Sequence, residues 1–262
     1  MTPEQIQQLK ALRANTGISL DKCRIALENT QYDLEAARAY IIQHLLPHAD
    51  AKAHRSVGEG VVVVESQDDY TSLVVLKAET DFVALHPSFK AFAHLAATVA
   101  CQNKIIDLAE LIAWPSINTA LRQLIMMLGE SIQLTSLVTK QGEVIGSYVH
   151  ANKIGCLVTL VNGDPQIAHE LAIHIVAAHP TVIHIADFPQ DILAEQLELV
   201  RAENLHKPEH ILEKILEGKK KLLFEADVLV CQPFFRQSDM TIAEYLHKHH
   251  TAVREFVRIE LN

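Results

Sequence analysis

The sequence predicts an α+β protein built from a small helical bundle, a two-part core with antiparallel sheets, and an inserted helical hairpin. Three observations carry that class. Short apolar stripes at helical spacing fill residues 3 to 45. Strand-length apolar runs followed by helical stretches then occur twice in the same order. Residues 189 to 224 form two longer stripes around a proline turn.

The first stripe is Ile6, Leu9 and Leu12, the second Leu20, Cys23, Ala26 and Leu27, the third Leu34, Ala37, Ile41 and Leu45. Gly17 stands after the first helix, where a left-handed residue is wanted, and Ser19 is placed to cap the second. The bundle is expected to end near Pro47, with residues 48 to 56 as a linker. Beyond it, Val61 to Val64 and Leu73 to Leu76 flank the polar turn Ser66-Gln67-Asp68-Asp69, the pattern of a β-hairpin. Helices are expected from Pro87 to about Cys101 and from Pro115 to Leu128.

The second unit repeats that order. Strands are expected at Ile132 to Val138, Val144 to His150 and Gly155 to Val161, with a helix from Gln166 to His179 opened by the Asn162-Gly163-Asp164-Pro165 break. Ile192, Leu193, Leu197 and Val200, then Ile211, Leu212, Ile215 and Leu216, make an antiparallel helical hairpin turned at His206-Lys207-Pro208. It either projects as an oligomer contact or lies flat on its own domain. A strand at Val228 to Cys231, a helix from Thr241 to His249 and a strand from Val253 to Leu261 return the chain to the core. The expected domains are 1–54, 55–140, 141–184 with 227–262, and the hairpin at 185–226.

Composition excludes several function classes. The chain has 262 residues, 49% of them apolar, and a formal charge of −9. A direct nucleic-acid ligand is not expected, because phosphate neutralisation calls for a basic stripe and Lys219-Lys220-Lys221 is the only basic run. Cys23, Cys101, Cys156 and Cys231 are scattered without C-x-x-C spacing, which fits small buried residues in a reducing compartment. The N-terminal residues lack a signal-peptide layout, and no apolar stretch approaches the roughly 20 residues of a membrane span. A cytoplasmic location without membrane contact is therefore expected.

Motifs of bond-making chemistry are missing. Neither phosphate-loop nor dinucleotide glycine pattern is present, and there is no nucleophile elbow. His169-Glu170 and His174 superficially resemble a zinc motif, but a five-residue spacing turns the two rings about 140° apart on a helix. His247, His249 and His250 read as surface residues. No metal, cofactor or catalytic residue is expected.

The segment Lys77-Ala-Glu-Thr-Asp-Phe-Val-Ala84 sets an acid and an aromatic at a strand-to-helix turn, before Pro87-Ser88. Such turns on a rigid scaffold often carry function. Pattern alone favours burial of Phe82 in the core, with Asp81 capping the turn.

Two segments together carry a resemblance. Leu12-Arg13-Ala14-Asn15-Thr16-Gly17, continuing through Cys23-Arg24-Ile25-Ala26-Leu27, and Glu79-Thr80-Asp81-Phe82-Val83-Ala84 look like the signature stretches of the elongation factor Ts family, the exchange factors of bacterial elongation factor Tu. Gly129-Glu130, Gly146-Ser147-Tyr148-Val149-His150, Ala177-Ala178-His179-Pro180, Glu217-Gly218-Lys219 and Gln232-Pro233-Phe234 follow in the family's order, so the resemblance runs almost end to end. It implies an N-terminal three-helix domain like the ubiquitin-associated fold, ahead of the two-part core and hairpin.

The resemblance also implies a function: binding elongation factor Tu in its GDP-bound and nucleotide-free forms, displacing Mg²⁺ and releasing GDP. It assigns Mg²⁺ dislocation to Thr80, Asp81, Phe82 and Val83, and further partner contacts to Arg13, Leu20 and His150. With these motifs in place the reading of Phe82 reverses, to a side chain buried in the partner. Leu20-Asp21-Lys22 departs from the family's Met-Met-Asp and replaces an apolar contact by charge. The chain stops soon after Val257-Arg258-Ile259-Glu260, where some members carry a further helical module, so contacts of that module are expected to be absent or replaced. The alternatives are a protein-binding adaptor that keeps the fold without exchange activity, and an enzyme with an unrecognised site. The hairpin remains a candidate surface for self-association.

Overall fold

The computed structural model describes residues 1–45 and 55–261. The expected linker falls almost wholly outside the described residues, as does the side chain of Leu45. The α+β class and the antiparallel sheets hold. The chain divides into two compact units, the first essentially Met1–Lys140 with Ala151–Lys153, the second Gln141–His150 with Ile154–Ile259.

The first unit opens with α1 (Pro3–Thr16), α2 (Leu20–Asn29) and α3 (Leu34–Tyr40), followed by a π-turn at Ile41–Leu45. Thr2 and Gln5 form a reciprocal capping box at α1, and Gly17 closes that helix at φ 68°. Ser19 precedes α2 but makes no side-chain cap bond, a departure from the sequence reading. Of the first two stripes, Leu12, Cys23, Ala26 and Leu27 are buried, whereas Ile6 and Leu20 stay exposed.

The core of this unit is the sheet β1-β2-β3, formed by β1 (Glu59–Gln67), β2 (Tyr70–Ala78) and β3 (Ile132–Gln141). β1 and β2 pair antiparallel, Val61 facing Leu76, across a tight turn in which Asp68 takes φ 54°. Between β2 and β3 run α4 (Asp81–Leu85), α5 (Pro87–Asn103), α6 (Leu108–Ala113) and α7 (Pro115–Leu128). α5 lies on β1 and β2, burying Phe89, Phe92, Ala93, Ala96 and Ala97. α7 spans the predicted residues because Pro115 starts it and Gly129, at φ 79°, ends it.

The second unit has the sheet β4-β5-β8, from β4 (Ile145–His150), β5 (Ile154–Leu160) and β8 (Val253–Glu260), covered by α8 (Pro165–Ala178). Gly146 is required here: a Cβ at that position would overlap the backbone carbonyl of Ala168, so strand and helix approach at backbone contact. The hairpin consists of α9 (Gln190–Glu203) and α10 (Glu209–Asp227), and its buried residues, Leu193 and Phe224, lie toward its base with Phe188 and Val228. The short strands β6 (Pro233–Phe234) and β7 (Gln237–Thr241) precede α11 (Ile242–Lys248). The predicted strand Val228 to Cys231 is instead one residue of bridge and a 3₁₀ turn at Leu229–Cys231; four apolar residues fit a buried turn as well as a strand.

Two buried polar groups organise this unit. Gln232 donates through Nε2 to Ala226 O (2.7 Å) and Ala178 O (3.4 Å), so its Oε1 accepts from His174 Nε2 at 3.0 Å. Among the described residues, His174 Nδ1 has no hydrogen-bond partner. Burial pulls the His174 pKa below its usual value, more strongly than the Gln232 bond raises it. Glu170 accepts from Tyr245 Oη at 2.7 Å and from Gln166, and pairs with Arg236 at 3.1 Å; together these outweigh the opposing effect of burial and hold its carboxyl below the usual range. Burial pushes the Cys156 thiol up to about 12.

Two outcomes are expected. Gly146→Ala should lower unfolding free energy by about 3 kcal/mol, measured by urea titration, since neither backbone can give way. The imidazole of His174 binds a proton more readily when unfolded, so stability should fall as pH drops below about 6.5 toward the depressed folded value. Urea titrations at successive pH values should show a shallower fall for His174→Gln.

Candidate functional site

The end of β2 at Ala78 and the proline at position 87 leave eight residues in which the chain must turn from sheet to helix. Thr80 is extended, at φ −125° and ψ 156°, and caps α4 by accepting from Val83 N at 3.4 Å. His86 must be extended because it precedes a proline, so α4 stops after five residues. The same His86 caps α5, its Nδ1 accepting from Ser88 N at 3.2 Å.

Helical rotation of about 100° per residue then sorts the side chains of α4. Val83 and Ala84 turn inward and are buried, while Asp81, Phe82 and Leu85 share the outer half. Phe82 is 82% exposed and Leu85 66%. Pattern-based burial of Phe82 is therefore overturned, and so is Asp81 as the cap: Thr80 takes that place, and Asp81 accepts from the adjacent Phe82 N at 2.9 Å. Leaving a phenyl ring in water forgoes about 1.5–3 kcal/mol of burial, and Leu85 beside it extends the apolar surface that the turn shows to solvent.

The turn is mounted by an exchange of carboxylates. Glu130 Oε2 accepts from Thr80 N at 3.0 Å, and its Oε1 accepts from Thr80 Oγ1 at 2.7 Å. In return Glu79 Oε1 accepts from the N–H of the fully buried Ser131 at 2.6 Å, with Arg55 at 3.5 Å from the same oxygen. Sequence reasoning singled out Gly129-Glu130 without a role for it, and missed Leu85, which its three-residue spacing from Phe82 could have shown.

The other candidates stand on other elements, although His86 at the end of the turn also lines the groove of the first two. Arg13 and Leu20 are exposed and line a groove of about 730 Å³ with Ile6, Leu9 and Met127. His150 belongs to the second unit, exposed at the end of β4, its Nδ1 3.3 Å from Tyr148 Oη. The Tyr148 ring in turn meets the edge of His169, whose Nδ1 lies 2.8 Å from Ser147 O. Among the described residues no three His, Cys, Asp or Glu side chains are grouped to hold a metal ion, and no helix is long and apolar enough to cross a membrane.

Comparison with known proteins gives a consistent answer. The family model described as elongation factor TS matches residues 79–262. Elongation factor Ts of Alkalilimnicola ehrlichii is 34% identical, and that of Halorhodospira halophila 35%, each alignment covering 97% of this chain and 90% of the relative. The same protein of Thioalkalivibrio sulfidiphilus is 34% identical over equal shares. A match of this extent, reaching from the N-terminal helices through the exposed turn to the last strand, places the chain in the elongation factor Ts family, whose role in protein biosynthesis is guanine nucleotide exchange.

Proposed function

We propose that this chain binds elongation factor Tu carrying GDP, dislocates the partner's Mg²⁺ and so releases GDP during translation elongation, in the cytoplasm and with no cofactor or bond chemistry of its own. The observation that carries this reading is Phe82, 82% exposed on an ordered one-turn helix beside an exposed Asp81. Phe82 enters an apolar site on the partner. Asp81 reaches toward the metal shell, where Mg²⁺ tolerates little departure from octahedral geometry. Thr80 and the buried Val83 hold the turn from behind. Arg13 and Leu20, on residues 1–54, and His150 supply the remaining contacts.

Exchange is a coupling between two ligands of one protein: a factor that weakens GDP is itself weakened equally by GDP. A coupling of ~4–5 kcal/mol, above the usual 1–3, corresponds to a thousandfold or more in each direction. One phenyl ring supplies ~1.5–3 kcal/mol of that, so contacts from both units are required. An adaptor lacking exchange activity has no use for an aromatic kept in water at this turn, which favours the exchange reading over it.

Self-association is proposed through α10, where Ile211 and Leu222 are exposed eleven residues apart on one face, with Gly218 open between them. Two copies running antiparallel would set Ile211 of each on Leu222 of the other.

Stopped-flow release of a fluorescent GDP from elongation factor Tu should accelerate strongly with this chain. Phe82→Ala should cut the acceleration by about ten- to a hundredfold, and Asp81→Ala by about tenfold, with unfolding midpoints unchanged. An unaltered release rate with the wild-type chain rules the exchange reading out. In sedimentation velocity, Leu222→Glu should shift any dimer to monomer; a wild-type chain that stays monomeric at high concentration removes the hairpin proposal.

A further inference from the structure

Glu130 lies fifty residues from Thr80 in sequence, yet its carboxylate takes both polar hydrogens of that residue, the backbone N–H and the hydroxyl. We propose that Glu130 is the positioning residue of the exchange turn, fixing the pose in which Asp81 and Phe82 meet the partner. This rests on the exchange reading given above.

The chemistry follows from what a Thr cap must do. A threonine hydroxyl has one hydrogen to give and two lone pairs to accept with, and its rotor is free unless something holds it. Glu130 Oε1 takes the hydrogen at 2.7 Å, which leaves the lone pairs of Thr80 Oγ1 for Val83 N. Glu130 Oε2 takes the Thr80 N–H at 3.0 Å, so the residue is gripped at two points and cannot rotate about one. A five-residue helix has too few internal hydrogen bonds to persist alone, so this cap decides whether α4 exists.

Glu130 is itself well anchored. It follows Gly129, the left-handed residue that ends α7, and it precedes Ser131, which is fully buried and donates its N–H to Glu79. Glu79 adjoins Thr80. The two carboxylates thus cross between the end of β2 and the start of β3, each satisfying a backbone donor on the opposite segment. Half-buried as it is, Glu130 offers the partner little surface; its effect passes through Thr80.

A factor docked through its other contacts stays bound when the turn loosens, but holds Asp81 and Phe82 in place for a smaller fraction of the time. The release rate at saturating factor should therefore fall, while the concentration giving half that rate moves little. For Glu130→Ala the plateau should drop about tenfold, with less than about a threefold change in half-saturation. Glu130→Gln, which keeps one carbonyl acceptor, should fall between. Glu130→Ala combined with Thr80→Val should lose less than the sum of the two single effects, because the hydroxyl–carboxylate bond is removed by both, while each also removes one bond the other keeps.

Hydrogen exchange of the free chain, followed by mass spectrometry, reads the positioning without any partner. Glu130→Ala should speed exchange in the peptide covering 79–86 and leave β1, β2 and α5 protected. Protection lost across the whole unit would make Glu130 merely structural and overturn the proposal. So would an unchanged plateau, or a half-saturation that moves while the plateau holds. If the wild-type chain fails to accelerate GDP release, the exchange reading fails, and the exchange pattern of the free chain separately reports whether Glu130 holds the turn.

Discussion

At the edge where β2 and β3 stop pairing, the backbone N–H groups of Thr80 and Ser131 still need acceptors, because an unpaired donor at a half-buried position costs about as much as a lost hydrogen bond. Glu79 and Glu130 meet that need by reaching across to each other's segment. Much of the first unit's exposed chemistry depends on this requirement. It fixes where the chain leaves the sheet, it sets the rotor of the Thr80 cap, and through that cap it decides which residues of α4 face in. Were the donors satisfied by water, the Thr80 hydroxyl would lose the partner that orients it toward Val83 N.

The two units meet their polar demands in different ways. The first uses carboxylates on backbone donors at a surface turn. The second buries a neutral imidazole against an amide, His174 on Gln232, and joins Glu170 to Tyr245 and Arg236. Both arrangements tie together segments far apart in the chain. Gly146 adds a steric version of the same constraint, since only a bare backbone lets β4 approach the carbonyl of Ala168.

Much of the fold was legible because its punctuation is local. Pro115 and Gly129 bracket α7, Asp164 and Pro165 open α8, and the two valine- and leucine-rich runs around Asp68 give the first hairpin. Failures came where the signal is short or distant. α4 and α6 are too brief to show a period, and Val228 to Cys231 carries no alternation that separates a strand from a 3₁₀ turn. Exposure of Phe82 contradicts ordinary burial preference, and only the order of flanking motifs pointed outward. The grip of Glu130 on Thr80 spans fifty residues, so no window of sequence contains it.

His86 ends α4 and begins α5 in a single residue, with no slack between the two helices. Mechanically, the turn is a punch bolted to a plate. A push on the tip at Phe82 finds no spring in the connection, and the reaction force passes straight into the seventeen residues of α5 and the strands beneath.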